Sequence, residues 1–116
     1  MATVFEALTK KFKNKMRQEI YTENELIGRL KNFEGGNYYD EAAHISNAHI
    51  LYIDDMGTVT MTDWRKEALY SIIDRRYRSL LPTIITTTLN DREINEFYGV
   101  KIGRRLLDEE NTFIQY

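Results

Sequence analysis

Two adjacent carboxylates at the end of an apolar run are the residues of this sequence best suited to chemistry. The run Ile50–Ile53 is followed directly by Asp54 and Asp55. Continuous apolar residues predict a strand covered on both faces of a parallel sheet, so the carboxylates are expected at its carboxyl end, where such sheets bind ligands. One carboxylate could hold Mg²⁺ through its water shell, and the other could orient or deprotonate an attacking water. The alternative is a strand that simply ends in an Asp-rich turn.

A second polar strand end lies further along the chain. Pro82, the only proline, precedes an apolar segment that ends in Thr86, Thr87 and Thr88. Hydroxyl groups there could hydrogen-bond a phosphate or an attacking water. Threonine is also an ordinary strand residue, so a purely structural role is the alternative unless a neighbouring strand supplies the site.

Strand and helix patterns alternate along the chain and would bring these residues into one sheet. A Thr-x-x-Glu capping box at Thr22–Glu25 predicts a helix start there. Alternating strands and helices imply right-handed crossovers, a parallel sheet and an α/β fold. The predicted strands cover about 16–22, 50–53, 83–87 and 112–115, and the predicted helices about 2–13, 22–32, 40–46, 62–77, 90–97 and 100–108.

Composition excludes several classes of function. The chain has 116 residues, a length that suits one domain, and its net charge of −2 does not by itself attract nucleic acid. It has no cysteine, and His44 and His49 lack the spacing of a metal site. No apolar run approaches the roughly 18–20 residues of a membrane span, and the first residues do not have the pattern of a signal peptide. We therefore expect a cytoplasmic protein without membrane contacts.

Over about residues 50–107 the sequence resembles the DnaC/DnaI/IstB-type AAA+ ATPases, the bacterial and phage helicase loaders. The similar segments follow each other at near-constant spacing, and together they are far more specific than any one of them. They are Ile50–Gly57, which looks like a Walker B strand, Trp64-Arg65-x-x-Ala68-Leu69, Ile72–Tyr77, Leu81–Asn90, and Tyr98-Gly99-x-x-Ile102-x-Arg104-Arg105-Leu106. The resemblance implies a P-loop NTPase fold with a three-layer α/β/α parallel sheet.

The resemblance also implies roles for single residues. Asp54 would be the Mg²⁺-associated Walker B carboxylate, and Asp55 would activate water. Thr88 falls where the family usually has its sensor-1 asparagine. Arg105 matches the arginine finger, which acts in trans on the nucleotide of a neighbouring subunit, and Lys101 lies at a second basic position one helical turn earlier.

The two adjacent arginines of the last helix have a simpler alternative. Arg104 lies beside Arg105 and could be confused with it, and without the family match both would be read as a solvated helix face.

One family element has no counterpart in the sequence. The family has a central strand, flanked by the Walker B-side strands and the last strand, and then a G-x-x-x-x-G-K-[ST] loop before a helix like residues 1–13. No such loop occurs here. Residues 1–116 are therefore expected to form a partial AAA+ core without the first strand and P-loop. A truncated sequence, a domain completed by another chain, and a natural derivative that has abandoned ATP are the three explanations, and whether the chain is an enzyme stays open.

Residues 23–47 occupy the place of a two-helix insert that the family associates with helicase loading and single-stranded DNA. Tyr38 and Tyr39 beside the Gly35-Gly36 loop could stack on bases, with Lys31 or Arg29 near phosphates. The alternative is that Tyr39 packs on its own helix and Tyr38 is a loop aromatic.

Three functions follow from the resemblance. The first is a helicase-loader-type ATPase of phage or bacterial DNA replication, which uses Mg²⁺ and ATP to assemble with a replicative helicase, single-stranded DNA and further copies of itself. The second is a non-enzymatic interaction module derived from a loader, and the third is an IstB-like transposition helper with the same chemistry.

Overall fold

A computed structural model describes residues 16–32, 38–108 and 112–115. The helix predicted for residues 2–13 lies outside these ranges. The described elements, in chain order, are β1 (Gln18–Thr22), α1 (Glu23–Asn32), α2 (Tyr38–Ser46), β2 (Ile50–Met56), α3 (Asp63–Arg78), β3 (Thr83–Thr87), α4 (Asp91–Tyr98), α5 (Val100–Leu106) and β4 (Thr112–Gln115).

The strands form one sheet in the order β1-β2-β3-β4, and all three pairings are parallel. The α/β parallel fold predicted from the alternation of elements is therefore confirmed. Within the described residues β4 pairs directly with β3, from Thr83 opposite Thr112 to Thr86 opposite Gln115. The family pattern places its P-loop strand beside the last strand, but here the backbone groups on that edge of β3 bond to β4 instead.

The largest core cluster lies on one face of the sheet. Leu51, Ile53 and Ile85 point into it from β2 and β3, and each of the five described helices adds buried side chains. Residues with the opposite orientation, Ile50 and Tyr52, are also buried and pack with Ile84. Burial on both faces of β2 explains why its sequence is a continuous apolar run instead of an alternating one. None of the described helices is long and apolar enough to span a membrane.

Side-chain caps fix where three helices begin. Thr22 Oγ1 accepts the Glu25 N–H at 3.1 Å, and the Glu25 carboxylate accepts the Thr22 N–H at 3.0 Å, so the predicted capping box is present. Thr62 caps α3. Asn90 and Glu93 form a second capping box at the start of α4. The three capped helices follow β1, β2 and β3. Their first turns therefore lie near the carboxyl ends of these strands, at the edge of the sheet where the polar residues lie.

A buried arginine ties α3 to the opposite, amino-terminal edge of the sheet. The Arg76 side chain is 1% exposed. Its guanidinium donates to Thr83 Oγ1 at 2.8 Å and to the carbonyl oxygens of Ala48 at 2.7 Å, Pro82 at 2.5 Å and Ser46 at 3.1 Å. Burial, with a smaller contribution from Arg17, lowers the pKa of Arg76 to about 10. The guanidinium therefore joins the residues before β2 and before β3 to one helix.

We expect Arg76→Leu to destabilise the protein by more than about 3 kcal/mol, because each buried acceptor left without a donor costs about 1–3 kcal/mol. The neighbouring Arg75 is exposed, so Arg75→Leu is the matched control and should change stability by no more than about 0.5 kcal/mol. Urea unfolding of the two variants measures both values. Equal losses would show that the buried hydrogen bonds do not hold this edge together.

Candidate nucleotide site at the carboxyl end of the sheet

The polar ends of three parallel strands meet at one edge of the sheet. Thr22 at the end of β1 lies opposite Asp54 in β2, and Met56 at the end of β2 lies opposite Thr87 in β3. The register between β2 and β3 is irregular from Ile53 to Met56. This irregularity changes the direction of the side chains at the point where the two aspartates occur.

The two aspartates have different surroundings. Asp54 is half-buried and accepts a hydrogen bond from the hydroxyl of Thr86. The same Thr86 oxygen accepts the backbone N–H of Asp55 at 2.9 Å. Asp55 is exposed, and its backbone has a φ of 56°, in the left-handed region that non-glycine residues rarely adopt. Thr86 therefore fixes one carboxylate while the other projects into solvent.

Thr86 and Thr87 of β3 make hydrogen bonds to different residues at the end of β2. The Thr87 hydroxyl donates to the carbonyl of Met56 at 2.7 Å and accepts the N–H of Leu89 at 3.1 Å. Thr88, the residue at the sensor-1 position, is exposed just beyond the strand. It lies at the predicted edge, but the contact with Asp54 comes from Thr86. The signal for Thr86 was present in the sequence, because alternation along β3 puts Thr86 and Thr88 on the same side.

A buried glutamate holds the loop that follows the aspartates, and the sequence did not single it out. Glu23, the first residue of α1, is 0% exposed. Its carboxylate accepts the N–H of Gly57 at 3.0 Å and the hydroxyl of Tyr98 at 2.5 Å. Burial raises the pKa of Glu23 although these hydrogen bonds oppose it. The Gly57 N–H, two residues after Asp55, is thus taken by a carboxylate of the chain itself.

The arginine-finger candidate is engaged within the chain. Arg105 Nε donates to Asp74 Oδ1 at 2.7 Å, and its Nη1 donates to the carbonyl of Lys101 at 3.0 Å. Its guanidinium carbon lies 5.0 Å from the centre of the Tyr70 ring, and Lys101 Nζ lies 4.2 Å from the same ring. Asp74 also accepts from Arg78 at 3.0 Å. These contacts fasten α5 to α3, whereas Arg104 is exposed.

The residues predicted to contact nucleic acid lie on α1 and α2 and not on the strands that carry the aspartates. Tyr39 is 79% exposed on α2, and Lys31 is exposed at the end of α1. The side chain of Tyr38 lies outside the described residues. Tyr39 borders a groove of about 550 Å³ between α2 and α3, with Trp64 and Tyr70 also in its lining.

The donor set suits Mg²⁺ but supplies only part of a nucleotide site. Within the described ranges no group of three or more His, Cys, Asp or Glu side chains could hold a metal ion. Asp54, Asp55 and the Thr86 hydroxyl are hard oxygen ligands, and Mg²⁺ needs only one or two carboxylates because it keeps most of its waters. A cradle for β- and γ-phosphates is not formed by these residues, since the Gly57 N–H in the loop after Asp55 bonds to Glu23.

The glycine of that loop gives a test of the geometry. Gly57 has a φ of 97°, and a Cβ there would lie 2.6 Å from Leu89 Cδ1. We expect Gly57→Ala to destabilise the protein by about 1–2 kcal/mol through the left-handed backbone. Gly28→Ala is the control: Gly28 lies inside α1 with no atom within 4 Å of the added methyl group, so a gain of about 0.5–1 kcal/mol is expected. A neutral Gly57→Ala would contradict this loop conformation.

The raised pKa of Glu23 gives a pH dependence with a definite sign. Below the usual carboxyl pKa of 4.5 the folded and unfolded chains both hold the proton, so the stabilising contribution is fully present there. It is lost as the pH rises through the folded pKa, because only the unfolded chain can then ionise without a burial cost. The unfolding free energy of the wild type, minus that of Glu23→Gln, should therefore fall as the pH rises from 4.5. Denaturant titrations at several pH values measure it, and a difference that rises with pH would be the contrary result.

Comparison with known proteins adds a curated relative and a solved structure. The replicative helicase loader DnaC of Escherichia coli strain K12 is 32% identical to the chain over 62 residues, and the Shigella flexneri loader gives the same values. That alignment covers 53% of this chain and 25% of the loader, so the chain spans about a quarter of the length of the curated relatives it matches. No protein-family model matches the chain.

The structural comparison covers more of the chain. The crystal structure of the DnaC helicase loader aligns with a TM-score of 0.74 over 94% of this chain and 64% of that chain, at 24% sequence identity. The likeness in fold therefore extends beyond the part that sequence comparison aligns. Over about half of its length in sequence, and over nearly all of it in fold, the chain is DnaC-like, which confirms the resemblance to AAA+ helicase loaders.

Proposed function

We propose that the chain is the nucleotide-responsive part of a helicase loader that acts with a replicative helicase in DNA replication. The observation that carries the proposal is the pair Asp54 and Asp55 at the carboxyl end of a strand paired on both sides, in a chain with a DnaC-like fold. Adjacent carboxylates with unequal surroundings suit a division of labour between metal binding and water activation.

In this proposal Asp54 holds Mg²⁺ through the water shell, and Asp55 orients or deprotonates a water. Mg²⁺, when bound with ATP, neutralises phosphate charge and orders the phosphate oxygens. The hydrogen bond from Thr86 fixes the rotamer of Asp54 and leaves its remaining lone pairs for metal-bound waters. The exposed Asp55 carboxylate and the exposed Thr88 hydroxyl lie at the same edge, where a water can reach both. The phosphate cradle would have to come from residues other than the described ones.

The edge formed by α5 and α3 is the proposed contact with a second copy of the chain. Arg105 and Lys101 would meet the nucleotide of the neighbour, which fits their positive charge. Arg105 now pairs with Asp74, so action in trans requires it to exchange this carboxylate for phosphate. Arg104 is exposed beside it and is the alternative cation.

Single-stranded DNA is the proposed ligand of the α1–α2 region. The exposed ring of Tyr39 offers a stacking surface, and Lys31 offers a cation for the backbone. Tyr38 is proposed to act with Tyr39. The setting proposed for these contacts is a phage replisome in the bacterial cytoplasm.

The non-enzymatic interaction module is the second candidate, and one observation favours it. The last strand β4 pairs with β3 along the edge that a P-loop strand would use. A sheet closed in this way could keep the helicase-binding surfaces of a loader without binding ATP.

Binding to a purified bacterial replicative helicase tests both candidates. The 116-residue chain should co-elute with the helicase in size-exclusion chromatography, and Mg²⁺-ATP should tighten the complex. Asp54→Asn should remove most of the nucleotide effect, which we expect to be about tenfold, or about 1.4 kcal/mol. Glu67→Gln is the control, because Glu67 is an exposed carboxylate within α3, beyond the helix start that lies near the strand ends.

The outcomes separate the two candidates. A complex of equal strength with and without nucleotide, unchanged in Asp54→Asn, would support the non-enzymatic module and contradict the ATP-dependent loader. Failure to bind the helicase under any condition would contradict both.

A further inference from the structure

We propose that Glu23 and Tyr98 are positioning residues for the strand end that carries Asp55, and that their hydrogen bonds couple this strand end to α5, the helix that carries Lys101 and Arg105. The proposal rests on the proposed function, because positioning matters only if Asp54 and Asp55 form the nucleotide-facing site. It adds a physical connection between that site and the edge of the molecule that would face a neighbouring subunit.

The burial of Glu23 is the first step of the argument. A carboxylate that is fully removed from water is costly unless hydrogen bonds replace its hydration. Glu23 is 0% exposed, and its carboxylate accepts the Gly57 N–H at one oxygen and the Tyr98 hydroxyl at the other. Its position as the first residue of α1 adds the favourable field of a helix N-terminus. An apolar residue would fill the same space without these requirements, so the carboxylate is best explained by what it holds.

The held segment is the one that sets the position of Asp55. Asp55 at φ 56° and Gly57 at φ 97° both lie in the left-handed region. A non-glycine residue stays in this region only when the surrounding contacts determine it. The Thr58 hydroxyl donates to the Asp55 carbonyl at 2.8 Å, and the Glu23 carboxylate accepts the N–H of Gly57 at 3.0 Å. The carboxylate of Glu23 therefore acts on Asp55 through the backbone, without touching its side chain.

Tyr98 extends the connection to the arginine-bearing helix. It is the last residue of α4, and Gly99, with a φ of 90°, forms the junction before α5 begins at Val100. The Tyr98 hydroxyl and the Gly57 N–H donate to the two oxygens of the same carboxylate. A shift of the loop after Asp55 would therefore move the carboxylate to which Tyr98 donates. Tyr98 adjoins Gly99, so the start of α5, the helix that carries Arg105, would move as well.

Amide hydrogen exchange of the full chain, measured by NMR without any ligand, tests the coupling. Tyr98→Phe removes one hydroxyl and keeps the ring. We expect it to speed exchange of the Gly57 amide by about tenfold relative to Ile53 in the centre of β2, with faster exchange also at the start of α5. Glu23→Ala should do the same more strongly. Glu23→Gln should stay close to the wild type, because its amide can accept from the loop and donate to Tyr98.

The control is Tyr52→Phe. Tyr52 is also fully buried, and its hydroxyl donates to Gln18 at 2.7 Å in the neighbouring strand. This variant should leave the ratio of Gly57 to Ile53 exchange unchanged. An unchanged ratio in Tyr98→Phe, or a uniform acceleration of all amides in every variant, would overturn the proposal, because a merely structural role lowers global stability without a local effect.

A second experiment distinguishes a failure of this proposal from a failure of the proposed function. Mn²⁺ alone, used as a paramagnetic probe, should broaden the amide signals of Asp54 and Asp55 in the wild type. Tyr98→Phe should require more Mn²⁺ for the same broadening, and Glu23→Gln should not. Absence of broadening in the wild type would contradict the proposed metal role of the aspartates, while the exchange data would still decide whether Glu23 and Tyr98 position the loop.

Discussion

Parallel pairing of β2 on both of its edges is the constraint on which the rest of the structure depends. With β1 on one side and β3 on the other, β2 has no free edge, and its first residues are buried on both faces. Polar side chains can therefore appear only where the strand ends. Because all neighbours run in the same direction, their polar ends collect at the same edge, and Thr86 reaches Asp54 there. The place of the candidate site in the fold therefore follows from the parallel sheet.

Two buried side chains, one at each of the two opposite edges of this sheet, hold neighbouring segments through hydrogen bonds to backbone groups. Glu23 accepts from the backbone N–H of Gly57 at the carboxyl edge, and Arg76 donates to backbone carbonyls at the amino edge. Backbone partners are fixed in position by the fold, so each side chain specifies the path of a connecting segment as well as satisfying its own charge. Such contacts define one arrangement of the loops around the strands, which apolar packing alone does less well.

Most of the fold could be predicted from the sequence, because the patterns that indicate its strands and helices are local. The apolar run of β2 and the capping box at Thr22 depend only on neighbouring residues, and they appear where predicted. The candidate site was harder, because its contacts join distant parts of the chain. Glu23 reads as an ordinary first-turn residue, and nothing within its helix indicates a bond to Tyr98, 75 residues away. The pairing of Arg105 with Asp74 likewise depends on how α5 packs on α3, which no local pattern encodes.

The direct pairing of β4 with β3 has a kinetic consequence. If another polypeptide supplied a P-loop strand at this place, it would first have to unpair β4 from Thr83–Thr86. Association would then be limited by the rate at which this edge of the sheet opens, and it would resemble strand exchange more than docking. Such a complex would form slowly, and its rate of formation would depend little on partner concentration once the partner is abundant. It would also dissociate slowly, because the inserted strand would have to unpair from β3 before it could leave.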